Sequence, residues 1–225
     1  MATLPPPVAV LCSGGLDSAV LLVEMARTAG EAIPVFVRAG HVWEPAERAA
    51  LERFVAAVDD GRIRPVRDLA VPMHDVYGPR WPMTAEGFPE WDAPDQANEI
   101  RGRNLILLAK TLVVAAMESW PTIVLASLRG NPFPDATPSF LGKLAAAASE
   151  GLDTTLTITA PYRSLTKADV IRRGADLPLD LTMSCARPTA SDRHCGACNK
   201  CRERREAFAA AGLADRTTYD GQLAR

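Results

Sequence analysis

Residues 7–12, PVAVLC, are almost wholly apolar and read as a strand buried on both faces. After the break at Ser13-Gly14-Gly15, apolar positions return with helical spacing over residues 17–29, and Gly30 supplies the stop. IPVFVRA at 33–39 predicts the next strand, and EPAERAALERFVAAV at 44–58 the next helix, with Pro45 suited to its first turn. GRIRPVRDL at 61–69 is a weaker strand, its Pro65 predicting an edge position or an early finish. The order β-α-β-α-β belongs to a parallel sheet covered by helices.

Between 70 and 100 the period breaks at Pro72, Pro79, Pro82, Pro89 and Pro94. A loop of that length inside a compact domain is usually functional or mobile, and its position suggests a lid over a ligand. Helical period resumes at Arg103-Asn104 and runs towards Met117. TIVLASL at 122–128 predicts a buried strand that enters a second irregular segment, RGNPFPDATPSF. A helix at 139–151, a strand in 155–161 and a short helix in 166–174 complete an α/β domain over residues 1–179. From Asp180 the chain turns to cysteine, arginine and polar residues, so 180–225 is expected to be an extension packed on that domain, with a helix near 199–211.

With 225 residues and 48% apolar content the chain can bury a sizeable core. A net charge of -2 argues against a protein that coats nucleic acid non-specifically. The most apolar stretch, Asn104 to Met117, contains Lys110 and is too short to span a bilayer, and the first residues lack the features of a signal peptide. A soluble cytoplasmic protein with no membrane partner is expected. Of the five cysteines, Cys12 stands alone and four fall between Cys185 and Cys201. An odd total clustered in this way favours a metal site over disulfides.

Two stretches carry chemistry. In CSGGLDS the glycines let backbone approach a ligand, and the free N–H groups of the following helix, with its dipole behind them, suit phosphate. Ser13 and Ser18 add hydroxyl donors, and Asp17 is suited to hold a Mg²⁺ that bridges phosphates. The plainer alternative is a strand–helix turn capped by Ser or Asp. No Walker A or GxGxxG pattern occurs. In SCARPTASDRHCGACNKC, Cys185, Cys195, Cys198 and Cys201 offer four thiolates that suit a closed, tetrahedral, structural Zn²⁺. An iron–sulfur cluster would use the same ligands, and His194 is a spare candidate.

The loop Ser13-Gly14-Gly15-Leu16-Asp17-Ser18 resembles the SGGxDS loop of the PP-loop ATP pyrophosphatases. Paired with the C-terminal cysteines, with RGRN at 101–104 and with LTKADVIRRG at 165–174, it resembles the QueC family of 7-cyano-7-deazaguanine synthases over nearly the whole chain. The resemblance implies a Rossmann-like doubly wound parallel sheet with a zinc-knuckle extension, and a ligand site at the carboxyl ends of the strands. It implies ATP-dependent adenylation of 7-carboxy-7-deazaguanine, then conversion to the nitrile with ammonia, with AMP and pyrophosphate released. Residues 13–18 would hold the leaving pyrophosphate, Asp17 would help place Mg²⁺, and Arg103 and Lys167 would neutralise phosphate charge. A homodimer is also implied.

The chain departs from the family at SLRGNPFPDATPSF, where a Gly-Tyr-Pro-Asp-Cys-like signature is usual: Phe133 replaces the tyrosine and Ala136 the cysteine, while Pro134-Asp135 survives. A glutamine- and tyrosine-bearing motif has become VRAGHVWEPAE. Asn104, Arg129, Asn131 and Asp135 are the candidate substrate residues. Alternatives are a PP-loop ligase that joins deazaguanine to another partner, a sulfur-delivering tRNA-modifying enzyme, and a zinc-ribbon nucleic-acid binder suggested by Arg187, Arg193, Lys200, Arg202, Arg204 and Arg205. For the sulfur-delivering enzyme Cys12 is the only cysteine outside the cluster, and its place in an apolar run predicts burial.

Overall fold

The computed structural model describes residues 4–220, so residues 1–3 and 221–225, the ends of the two expected regions, lie outside the described residues. The chain runs through β1 (Val8–Leu11), α1 (Leu16–Ala29), β2 (Ala32–Arg38), α2 (Glu44–Val58) and β3 (Arg67–Ala70). Two single-turn helices follow, α3 (His74–Tyr77) and α4 (Trp81–Thr84), and then α5 (Arg103–Met117), β4 (Thr122–Leu125) and α6 (Pro138–Gly151). β5 (Thr157–Thr159), α7 (Lys167–Arg173) and α8 (Asn199–Ala211) complete it.

All four pairings of the sheet are parallel, in the order β3-β2-β1-β4-β5. This is the doubly wound sheet expected from the sequence. Strand alternation divides the core. Val8 and Val10 of β1, Phe36 of β2 and Val124 of β4 pack with α1, with Leu51 and Phe54 of α2, and with Val170 and Ile171 of α7. Ala9, Val35, Val37, Ile123 and Leu125 face the other way, against Leu108 and Leu112 of α5 and Leu141 of α6. Ala207 and Phe208 of α8 join the first of these clusters, so the C-terminal helix shares the core of the sheet.

The strand expected over 61–69 begins later, at Arg67. Pro65 separates it from Ile63, which makes only an isolated bridge to Ala32, and β3 does lie at a sheet edge. Leu11 stands level with Val35 on one side and Leu125 on the other. The carboxyl ends of β1, β2 and β4 therefore open together, and the chain reverses its winding between β1 and β4. That is the crevice where open α/β sheets bind ligands.

Candidate active site and cysteine cluster

The glycine loop leaves β1 and enters α1 at this crevice. Gly14 has φ +75°, and a Cβ there would lie 2.1 Å from the Glu47 carbonyl oxygen, so only glycine fits. Its own carbonyl accepts from the Met183 N–H at 2.9 Å. Gly15 is the N-cap of α1, and no side chain caps the helix. The capped-turn alternative is thereby removed, and the first N–H groups of α1 are left for a ligand. Ser18 Oγ instead donates to the Gly15 carbonyl at 3.0 Å and lies 3.5 Å from Ser13 Oγ, which braces the loop.

A cavity of about 320 Å³ opens in front of the loop. Ser13, Gly15, Leu16, Asp17 and Ser18 line it, as do Arg103, Asn104, Asn131 and Lys167. Lys167 is the first residue of α7, placed by the capping box in which Thr166 and Asp169 bond each other's backbone N–H. Its ammonium lies 3.3 Å from Asp17 Oδ2 and 2.8 Å from Glu203 Oε1. Burial alone would lower its pKa, but the two carboxylates outweigh that and raise it, so the side chain is a fixed cation. Asp17 Oδ1 and Arg103 Nε are buried with no hydrogen-bond partner among the described residues. Two residues that line the cavity, one from α1 and one from α5, thus carry polar atoms free to take a ligand.

Arg103 is presented by the amino end of α5, whose own cap comes from a distance. Asp135 accepts from the Asn104 N–H at 2.9 Å and from Asn104 Nδ2 at 3.1 Å. This occupies Asp135, which does not line the cavity, whereas Asn104 does. Arg129 also lies outside the cavity wall, exposed, with its N–H bonded to Leu165. Asn131 Oδ1 accepts from the Phe133 N–H at 3.0 Å, and both residues reach the cavity.

Residues 70–100 add Trp81, Asn98 and Ile100 to the lining. Trp81 of α4 stacks on Trp43 at 5.2 Å, and Trp43 on His41 at 4.8 Å. Glu44 holds the turn after β2, accepting from the Ala39 and Gly40 N–H groups at 2.8 and 2.9 Å and pairing with His41 Nδ1 at 2.8 Å. Burial works against its charge, but these bonds prevail and lower its pKa. Glu47 faces the cavity without such bonds. Burial, only partly opposed by Arg103, pushes its carboxyl up to about 8.

The sulfurs of Cys185, Cys195, Cys198 and Cys201 lie within 4.8 Å of one another, all four residues buried. Three of the six separations, Cys185–Cys198, Cys195–Cys201 and Cys198–Cys201, are 3.5 to 3.9 Å, far too long for disulfides. They match the edge of about 3.8 Å that a tetrahedron of zinc–sulfur bonds near 2.3 Å requires. The cluster can hold a metal ion such as zinc. His194 is outside it, its Nε2 accepting from the Ser184 N–H at 3.0 Å. The arginines of the suspected basic patch each have a partner within the chain. Arg204 is buried with bonds to Thr182, Ser184, Thr217 and the Leu179 carbonyl. Arg187 covers Phe88, Arg205 covers Tyr219, and Arg193 and Arg202 pair with Asp220 and Glu206.

The family model described as "Queuosine biosynthesis protein QueC" matches residues 8–212. The chain belongs to the QueC family. Among the relatives of this QueC chain is 7-cyano-7-deazaguanine synthase 1 of Sphingopyxis alaskensis, 35% identical, with 94% of this chain and 97% of that one covered. The 7-cyano-7-deazaguanine synthase of Azoarcus sp. is 36% identical over 99% of this chain and all of that one. That of Thiobacillus denitrificans is 35% identical over 96% and 99%. Of the segments whose residues the sequence reading set apart, Trp43, Asn131 and Phe133 line the cavity, and Ala136 is buried. Sequence reasoning missed Glu44, Glu47, Trp81 and Glu203, and read Lys200 only as part of a basic patch. Only the tryptophan types and the EPAE spacing hinted at the first three. Among the described residues no helix is long and apolar enough to cross a membrane.

Proposed function

We propose that this chain is an enzyme that makes 7-cyano-7-deazaguanine from 7-carboxy-7-deazaguanine, ATP and ammonia. The observation that carries the reading is the uncapped amino end of α1 behind Gly14, opening on a cavity with unpartnered Asp17 and Arg103 atoms. The names of the family relatives support the product. The substrate carboxylate attacks the α-phosphate, giving an acyl-adenylate and pyrophosphate. Ammonia displaces AMP to give the amide, and a second ATP activates the amide oxygen so that AMP leaves with it and the nitrile forms.

The residues act by binding and by electrostatics. The N–H groups at residues 16–18 cradle the phosphates that leave together, while the Gly15 N–H donates to Ser13 Oγ at 3.3 Å. Arg103 and Lys167 offset the charge that develops at the α-phosphate. Asp17, with a carboxylate oxygen free of protein partners, fits as the holder of Mg²⁺, which would screen the phosphate chain. The four cysteines hold a structural Zn²⁺ in this reading.

The test is incubation with ATP, Mg²⁺, ammonia and 7-carboxy-7-deazaguanine, followed by chromatography of the nucleotides and mass analysis of the base. AMP and pyrophosphate should form only with the acid present, and the acid should become the nitrile. ADP with phosphate would overturn adenylation. A second reading, adenylation of a different carboxylate, is favoured by Asn131, Phe133 and Trp43 at the cavity; unchanged acid, with AMP formed from another carboxylate, would decide for it.

A further inference from the structure

The first turn of α8 brings a side chain into the cavity that the reading above does not use. Lys200 lies between Cys198 and Cys201 and lines the cavity, its side chain 34% exposed. Its ammonium pairs with Glu203 Oε2, while the other oxygen of Glu203 takes Lys167 at 2.8 Å. Lys167 continues to Asp17 at 3.3 Å. One carboxylate thus serves two ammonium groups, in a row that runs from the glycine loop to the cysteine cluster.

The backbone under Lys200 is fixed on both sides. The Asn199 N–H donates to the Pro89 carbonyl at 3.3 Å, and Asn199 Nδ2 to the Ala93 carbonyl at 3.4 Å. The Cys201 N–H donates to the Cys198 carbonyl at 3.0 Å. An ammonium on an anchored turn, sharing its counter-charge with a second lysine, is prepared to exchange part of that contact for an oxyanion at small entropic cost. A solvated pair one helical turn apart would instead point away from the cavity.

We propose that Lys200 is an anion-binding residue of this site, which takes an oxygen of the phosphate chain held at the glycine loop, and that Glu203 positions it together with Lys167. The inference rests on the reading of the cavity as an ATP site and adds to it a contribution from the cysteine-anchored helix. The anion is a phosphate chain because the row of charges ends at Asp17, inside the loop that cradles it.

The metal-loaded protein, with Lys200→Ala, Lys200→Gln and Lys200→Arg variants, is titrated calorimetrically with a non-hydrolysable ATP analogue, pyrophosphate, adenosine and 7-carboxy-7-deazaguanine. Loss of one charged hydrogen bond predicts about ten-fold weaker binding of the analogue and of pyrophosphate in the Ala and Gln variants. Adenosine affinity should not change, Arg should restore most of the loss, and metal content and unfolding temperature should match the parent. Unchanged pyrophosphate affinity in both neutral variants overturns the proposal, as does a loss confined to the carboxylate. If the parent protein binds neither analogue nor pyrophosphate, the ATP reading itself fails and the inference falls with it; a parent that binds both while the variants bind equally well sinks the inference alone.

Discussion

At Glu47 the chain carries a carboxyl whose ordinary value of 4.5 is pushed up to about 8 by burial beside the glycine loop. Between those two values the folded protein holds a proton that the unfolded chain has lost, so stability falls as pH rises through that window. Glu47→Gln should flatten this dependence in urea melts taken from pH 5 to 8.5, and should be more stable than the parent at the upper end. A slope that persists in the variant would assign it to another group. Asp17→Asn removes one charge from a row that also holds Lys167 and Glu203. It should lower AMP formation by about 100-fold, on the scale of losing one electrostatic contact in an active site. A cooperative melt in the same variant would show that the loss is chemical. The glycine loop and the four cysteines were legible in the sequence because each is a local pattern whose chemistry depends on spacing alone. Glu203 and Lys200 were not, since charged residues on a helix are common and only the fold sets one beside Lys167.

Elements place these residues, and two joints matter most. Gly14 cannot accept a side chain, because its Cβ would collide with the Glu47 carbonyl oxygen. Gly14→Ala should cost more than about 1 kcal/mol and weaken ATP binding, measured by denaturant melts and titration. At α5 the cap is Asp135, thirty-one residues away in the chain from the Asn104 it binds. Asp135→Ala should cost about 1 kcal/mol, like the loss of a helix cap, and should raise the KM for ATP because Arg103 sits on that first turn. Most element types were readable from period, whereas the Thr166–Asp169 box emerged only with the structure. The start of β3 was misplaced because Pro65 breaks the strand before it rather than ending it. Within 70–100, α3 and α4 escaped notice because each is one turn long and closed by Gly78 or Ala85. Contacts with distant residues hold this segment, such as Trp81 of α4 stacked on Trp43 and, further on, the bridge between Glu90 and Cys198.

For the whole molecule the two regions expected from the sequence meet in one core, because Ala207 and Phe208 pack with residues of β1 and α1. Metal removal, or Cys198→Ser, should therefore lower the main unfolding transition rather than release a separate one. Calorimetry of the chelated and loaded protein would check this, and two independent transitions would refute it. The segment that covers the cavity has a further consequence. Residues 89–94 are held to α8 by the Asn199 bonds to Pro89, Ala93 and Pro94, and by Arg202 bonded to the Ala93 carbonyl at 3.2 Å. Residues 98–103 then run directly into α5, whereas Gly87, ahead of the held segment in the chain, is exposed. A protease that cuts at Gly87 would leave the covering segment tied at both ends, so the nicked protein would stay together as two fragments around an intact cavity.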